Sequence, residues 1–343
     1  MAGPERVLSQ RELNRALLAR QLLLERVRLP LPRAVERIGA IQAQYAPSAY
    51  IGLWSRVQDF ERAALTRALE RRSLVQATVL RGTIHIVSRR DFWPWRAAVG
   101  DSDEAWVRRV FPTLTMRERT RANGRLRDAL ADGVRQRDSL VALVGKDAWN
   151  AADVDLVRVP PSGTWERRRA DLFALAEDWI GPDDADPDKG RELLVRRYLS
   201  AFGPARVADI RSWSRLGPDA VAQALERIGP RRFRDEQGKE LVDLPRAPLP
   251  DPETPAPVRF LPKWDATLLV HARRTGILAE EHRARIFSSK NPQSESTFLV
   301  DGVVGGAWRY QDGRIELEPF GRIPRETRRE LKEEAERLAA FHA

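Results

Sequence analysis

Residues 218–244, PDAVAQALERIGPRRFRDEQGKELVDL, contain the clearest structural pattern of the chain. Gly217-Pro218 interrupts the preceding helical pattern, and residues 219–228 predict a helix. Two runs, 231–234 and 239–244, then flank a turn at 235–238, which predicts a β-hairpin. The stretch therefore predicts a helix followed by a two-stranded wing.

Two further helices precede this stretch. Residues 192–201 and 205–216 have helical patterns, and Gly203-Pro204 and Gly217-Pro218 interrupt them. Three short helices followed by a hairpin predict a winged-helix unit at 191–245. The third helix carries little that contacts phosphate, whereas the end of that helix and the wing carry Arg227, Arg231, Arg232 and Arg234. We therefore keep two interpretations of this unit. It has a structural role in which the wing contacts the nucleic-acid backbone, or it reads bases.

A similar pattern opens the chain. Ser9 and Glu12 form a capping box, helical segments follow, and runs at 74–79 and 82–87 predict a second hairpin. We predict a winged-helix unit at 1–112. Residues 113–190 predict a less regular winged-helix-like unit, with helices broken at Gly124 and Gly133, a strand at 154–159 and a helix at 171–180.

The C-terminal third has a different composition. Prolines fill a linker at 246–262, which is typical of a stiff connection. Residues 263–343 predict a small α+β part with helices at 265–274 and 280–287, three strands at 297–301, 304–310 and 314–318, and a final helix at 325–340. The predicted fold class is α+β, mainly helical.

Composition excludes several kinds of site. The chain has no cysteine and four histidines that lie far apart, so thiolate catalysis and cysteine zinc sites are excluded and a histidine metal site is not expected. The net charge of +10 favours binding to a polyanion such as DNA. However, only six of the 59 basic residues are lysine, and an arginine-rich chain can be basic without binding a polyanion. No apolar run resembles a membrane span or a signal peptide, and no heptad seam is present, so we expect a cytoplasmic monomer without cofactor or metal.

Gln42-Ala43-Gln44 is the candidate catalytic motif. A helical pattern at 32–41 runs into it, and Pro47 restricts the residue before it, so the helix should fray at or just after the glutamines. Off the helix, two uncharged amides could hold a water molecule. The alternative is a pair of solvent-facing polar residues, because this spacing alone is a weak signal.

The chain resembles the AlkZ/YcaQ family of winged-helix DNA glycosylases. The resemblance rests on the order and spacing of Gln42-Ala43-Gln44, Arg81-Gly82-Thr83-Ile84-His85, PSGTW at 161–165, RYLSAFGP at 197–204, LVDG at 299–302 and Trp308-Arg309. It implies three tandem winged-helix units in a C shape, a basic concave face for duplex DNA, and catalysis by Gln42 and Gln44. Ala43 is smaller than the aliphatic residue often found between the glutamines. It also implies excision of N7-alkylated guanine, and in some members the unhooking of interstrand crosslinks.

The implied chemistry suits these residues. N7-alkylguanine is already cationic, so it can depart without a general acid, and two amides can orient a water and favour the cationic sugar. Candidate DNA contacts are Arg81, His85, Arg167, Arg168, Arg169, Arg231, Arg232 and Arg309. His85 could instead be a surface or packed residue, and the run Arg167–Arg169 a solvated face. The alternative function is a winged-helix DNA-binding protein without catalysis, either a regulator or a damage-binding paralogue.

Overall fold

The computed structural model describes residues 6–182, 184–270, 275–287 and 294–343. Its helices are α1 (Gln10–Arg20), α2 (Leu31–Ile38), α3 (Ala46–Trp54), α4 (Arg62–Glu70), α5 (Arg89–Val110), α6 (Met116–Ala131), α7 (Arg137–Val144), α8 (Lys146–Asn150), α9 (Ala176–Ile180), α10 (Pro187–Phe202), α11 (Val207–Ser214), α12 (Pro218–Ile228), α13 (Ala266–Leu269), α14 (Arg283–Ile286) and α15 (Arg325–His342), with a 3-10 turn at Glu280–His282. Its strands are β1 (Val7–Leu8), β2 (Ile41–Gln42), β3 (Leu74–Leu80), β4 (Thr83–Ser88), β5 (Arg135–Gln136), β6 (Leu156–Arg158), β7 (Leu172–Leu175), β8 (Arg231–Asp235), β9 (Glu240–Asp243), β10 (Arg259–Leu261), β11 (Thr297–Val300), β12 (Val303–Gln311) and β13 (Arg314–Pro319).

The strands form three sheets within the described residues. The largest has the order β2-β4-β3-β6-β7-β5, with every pairing antiparallel, so strands of the first two predicted units belong to one sheet. The second sheet has the order β1-β8-β9 and the third the order β10-β11-β12-β13. The prediction of an α+β chain is confirmed.

Several local predictions are confirmed. The capping box is present, with Ser9 accepting from the Glu12 amide and the Glu12 carboxylate accepting from the Ser9 amide. The hairpins β3–β4 and β8–β9 form where the sequence predicts them, and α10, α11 and α12 precede the second hairpin. The sequence did not predict β1, which adds to β8 in parallel.

Other local predictions were wrong. Gly124 lies inside α6, because a capping box at Thr115 starts the helix and an exposed glycine costs it only about 1 kcal/mol. Residues 172–175 form β7 rather than helix, because they pair with β6 through Leu156↔Leu175 and its neighbours. The helix predicted at 265–274 is α13 alone, and residues 271–274 lie outside the described part of the chain.

The helix predicted to run into the glutamines ends earlier. α2 stops at Ile38, and Gly39 and Ala40 have φ of 76° and 77°, which turns the chain in the left-handed region. A Cβ on Gly39 would lie 3.0 Å from the Ala201 Cβ on α10, so both the conformation and the close approach require glycine. After this turn the chain continues as the short strand β2 and not as a helix.

Two large apolar clusters meet at this strand. One surrounds β3, α5 and α10, and the other joins α2, α3 and α4 to the C-terminal sheet and α15. Ala40 packs in the first cluster, whereas Ile41 and Ala43 pack in the second. The candidate motif is therefore anchored at the boundary between the two cores.

Buried ion pairs link distant segments. Arg20 on α1 donates to both Asp243 oxygens on β9, at 2.7 and 2.9 Å, and both side chains are buried. Arg231 also donates to Asp243, at 2.8 Å. The Arg20–Asp243 ion pair joins α1 to the β8–β9 hairpin.

Replacing Asp243 should destabilise the fold strongly. D243A leaves the Arg20 charge buried without its partner, so we expect a loss on the order of 3–5 kcal/mol in the free energy of unfolding. Urea denaturation at pH 7 measures it. E333A, which removes the exposed pair of Arg329 and Glu333, is the control and should cost less than about 1 kcal/mol. Equal losses in the two variants would contradict the assignment.

Candidate active site

The two glutamines lie on and just after the edge strand β2. Ile41 pairs with Ile86 and Gln42 with His85 on β4, and the Ala43 amide donates to the Ile84 carbonyl at 2.8 Å. Successive residues of a strand point to opposite faces, and the burial agrees, because Ile41 and Ala43 are buried while Gln42 is half-buried and Gln44 exposed. The left-handed turn at Gly39 is thus what removes these amides from a helix.

The two glutamines line two different cavities. Gln42 lines a small cavity of about 20 Å³ between α3 and the segment 262–266. Gln44 lines a cleft of about 870 Å³ between β3, α5 and the segment 149–158. Within the described residues neither carboxamide makes a hydrogen bond, so both are available to a ligand or to water.

Most charges in the large cleft are paired. Arg96 donates to Asp155 at 2.5 Å and to Asp103 at 2.7 Å, and Arg119 donates to Glu104. These pairs neutralise much of the cleft wall. Arg158 on β6 differs from them.

Arg158 is a half-buried cation with no carboxylate partner among the described residues. It donates to the Thr78 hydroxyl at 3.2 Å, its guanidinium lies 4.9 Å from the Phe173 ring centre, and its Nε has no hydrogen-bond partner within the described residues. Burial, with a smaller effect of Arg137, lowers the Arg158 pKa to about 10. A desolvated guanidinium in this state is ready to bind an anion that enters the cleft.

Sequence reasoning missed Arg158. A signal for it was present, because the run at 154–159 predicts an apolar strand in which an arginine interrupts the pattern. The same cleft takes in Arg137 and Arg215. Their convergence depends on the pairing of β6 with β3, which no local pattern reveals.

The Arg81 guanidinium makes its contacts within the protein. It occupies the β3–β4 turn with φ of 55°, and its guanidinium donates to the Trp213 carbonyl at 2.7 Å. Burial, followed by the charge of Arg215, lowers the Arg81 pKa to about 10. The structure therefore places this candidate DNA contact between the hairpin and α11.

His85 is buried beside Gln42. Its Nδ1 lies 3.0 Å from the Thr83 carbonyl, which can only accept, so this nitrogen carries the proton. Burial and then Arg81 lower the His85 pKa from 6.5 to about 3. Because His85 and Gln42 are directly paired across the strands, their side chains lie on the same face of the sheet. The imidazole next to Gln42 is neutral.

The arginine run lies on a loop that reaches the glutamine segment. Arg168 donates to the hydroxyl of Tyr45, the residue after Gln44, at 3.3 Å, and is exposed. Arg167 pairs with Asp171 at 3.0 Å, and Arg169 pairs with Asp138 at 2.8 Å. Of the three, Arg168 is the one that the structure brings next to the motif.

The remaining candidates lie on the other two sheets. Arg231 on β8 turns inward to Asp243 and to the Leu244 carbonyl, at 3.0 Å from its Nε. Arg232 is exposed and pairs with Glu240 across the hairpin. Arg309 is exposed on β12, opposite Glu316 on β13.

His85 should remain neutral well below its usual titration range. Because the folded pKa of about 3 lies below the unfolded value of 6.5, the neutral imidazole stabilises the fold above pH 6.5, and this contribution is lost as the pH falls toward 3. Nitrogen-15 NMR of the imidazoles should show His85 as the Nδ1-protonated neutral form from pH 8 to 5. Protonation of His85 near pH 6.5 would contradict the assignment.

Comparison with known proteins agrees with this architecture. A family model described as DNA glycosylase AlkZ-like matches residues 35–341. The interstrand DNA cross-link repair glycosylase of Streptomyces sahachiroi is 22% identical over 352 residues, covering 93% of each chain. The solved structure of Streptomyces sahachiroi DNA glycosylase AlkZ has a TM-score of 0.80 at 20% identity, over 98% of this chain and 97% of that one, which shows a shared fold. Because the family model covers most of the sequence, the chain belongs to the AlkZ-like family and is a DNA glycosylase.

Proposed function

We propose that this protein is a monofunctional glycosylase that hydrolyses the N-glycosidic bond of N7-alkylated, cationic guanine in duplex DNA. The observation that carries the proposal is that neither the Gln42 nor the Gln44 carboxamide makes a hydrogen bond within the described residues, while Gln44 lines a large cleft, in a chain of the AlkZ-like family. The two amides orient the attacking water, and their carbonyl dipoles favour the developing positive charge on the sugar.

The neutral imidazole opposite Gln42 supports this chemistry. A cationic base leaves without being protonated, so no general acid is required at the site. His85, which pairs with Gln42 across the strands, is neutral, and its Nδ1–H donates to the Thr83 carbonyl. A neutral group at this position suits a bond that alkylation has already weakened.

Crosslinked DNA is the second substrate that we propose. The curated relative from Streptomyces sahachiroi is described as an interstrand DNA cross-link repair glycosylase, and it aligns over 93% of both chains. A guanine crosslinked through N7 carries the same positive charge as one that is simply methylated. One hydrolytic step therefore serves both lesions.

We also propose how DNA is held. The predicted units at 1–112, 113–190 and 191–245 act as tandem winged-helix modules in a C shape. Of the predicted linker 246–262, the part before β10 connects them to the C-terminal part, because β10 pairs with β11 in the C-terminal sheet. One monomer binds one duplex. The helices α10, α11 and α12 with the β8–β9 hairpin support the third unit. Arg168, beside Tyr45, and Arg158, in the cleft, are the phosphate contacts closest to the motif.

Removing either amide should slow excision without unfolding the protein. We expect Q42A and Q44A each to reduce the single-turnover release of N7-methylguanine by about 10²-fold, the effect of losing one preorganised polar group. Chromatography of the released base measures it, and duplex affinity should be unchanged. Q58A, an exposed glutamine on the same unit, is the matched control. Full activity of the Q42A/Q44A double variant would rule out this mechanism, and binding without any excision by the wild type would favour a non-catalytic protein.

Removing the Arg158 charge should weaken DNA binding in a salt-dependent way. R158M loses one phosphate contact, so the slope of log K against log salt should become shallower by about 0.9. The variant should fold normally, because a half-buried cation without a counter-ion does not stabilise the native state. R329M, at an exposed position of α15, should keep the wild-type slope. An unchanged slope in R158M would exclude the contact.

A further inference from the structure

The small cavity behind Gln42 contains an uncommitted hydroxyl. Ser48 lies in the first turn of α3 and is 2% exposed, and its Oγ has no hydrogen-bond partner within the described residues. A serine in a helix commonly bonds a carbonyl of the preceding turn, but here only the Ser48 backbone amide makes such a contact, to the Tyr45 carbonyl at 2.9 Å. Ser48 and Gln42 line the same cavity. A buried hydroxyl without a partner is costly and calls for an explanation.

The size of the cavity limits what can occupy it. Its volume of about 20 Å³ suits a single water molecule, which needs roughly 10–15 Å³ on this measure. A water also needs two or more polar partners, and the Ser48 hydroxyl and the Gln42 carboxamide can supply two. A nucleotide or a phosphate does not fit.

Among the other polar side chains that line the cavity, Lys263 pairs with Glu295 at 3.7 Å, and Arg56 and Gln21 have used their N–H donors. Arg56 makes five hydrogen bonds, to Gln21 O, Gly52 O, both Asp265 oxygens and Thr267 Oγ1, which uses every N–H that an arginine has. The Gln21 amide donates to Ile38 O and Ala201 O. These donors cannot turn to Gln42, so its carboxamide has no competing donor among them.

The cavity wall is held in a strained conformation. Trp264, which lines the cavity, has φ of 64°, an unusual value for a bulky residue. Its amide donates to the Ser294 hydroxyl at 2.6 Å, and the following residue is Asp265, the partner of Arg56. Strain that the surroundings maintain is common where geometry serves function.

We propose that Ser48 is a positioning residue, which holds one buried water against the Gln42 carboxamide. The bridge occupies one end of the amide and fixes its rotation, so the other end faces the DNA in a constant orientation. The inference rests on the proposed role of Gln42 in glycosidic hydrolysis and adds Ser48 and a bound water to it.

Crystallography tests the water directly. A high-resolution structure of the unliganded protein should show one ordered water within hydrogen-bonding distance of Ser48 Oγ and of the Gln42 carboxamide, and S48A should lose it. A cavity without ordered water in the wild type would overturn the proposal. This result does not depend on activity, so it decides the matter even if the protein releases no N7-methylguanine and the proposed function fails.

Kinetics tests the role. S48A should lower the single-turnover excision rate about tenfold while the affinity for undamaged duplex stays unchanged. Because Ser48 acts through Gln42, the Q42A/S48A double variant should be no slower than Q42A alone. Full activity of S48A, or losses that multiply in the double variant, would overturn the positioning role while leaving Gln42 catalysis intact.

A second buried serine of the same region is the matched control. Ser55, which follows the last residue of α3, donates its hydroxyl to the Phe260 carbonyl. S55A should lower the melting temperature but leave the excision rate of the folded protein unchanged. Comparable slowing in S55A and S48A would show a general packing effect and overturn the specific role of Ser48.

Discussion

The geometry around the motif depends on the buried guanidinium of Arg56. Its five hydrogen bonds join the end of α1, the helix α3 and the segment at Asp265, which come from widely separated parts of the chain. Burial raises the Asp265 pKa but the ion pair with Arg56 overcomes this effect, so the pKa stays below its usual value and the carboxylate remains charged. Because any displacement would leave a buried charge unpaired, the Arg56–Asp265 ion pair permits only one arrangement of the segments that it joins. The wall beside Gln42 is therefore rigid.

The same principle explains much of the basic composition. A net charge of +10 suggests a polyanionic partner, yet many arginines form ion pairs within the protein, such as Arg20 with Asp243 and Arg26 with Glu334. Arginine suits this use, since it stays charged when buried and its planar group bonds several acceptors at once. The informative cations are those that lack a carboxylate, above all Arg158. Only the pairing pattern in the structure identifies these cations.

The candidate site places the two glutamines in different surroundings. Gln42 lies opposite the neutral imidazole of His85, and Gln44 opens onto a cleft whose acidic groups are mostly paired. Such surroundings give modest catalysis of ordinary bonds but suit a leaving group that is already cationic. Gln42 lines a water-sized cavity, and Gln44 lines a cleft large enough for a nucleotide.

Local periodicity and turn residues such as Gly82 and Gly238 predicted the α+β class and the two hairpins, and the order and spacing of short motifs predicted the family by resemblance. Long-range contacts determine the other features. Gly39 ends α2 early because it meets α10, residues 172–175 become a strand because β6 pairs with them, and His85 is neutral because the sheet buries it. Each of these depends on residues far away in the sequence, and a local pattern carries no information about such partners.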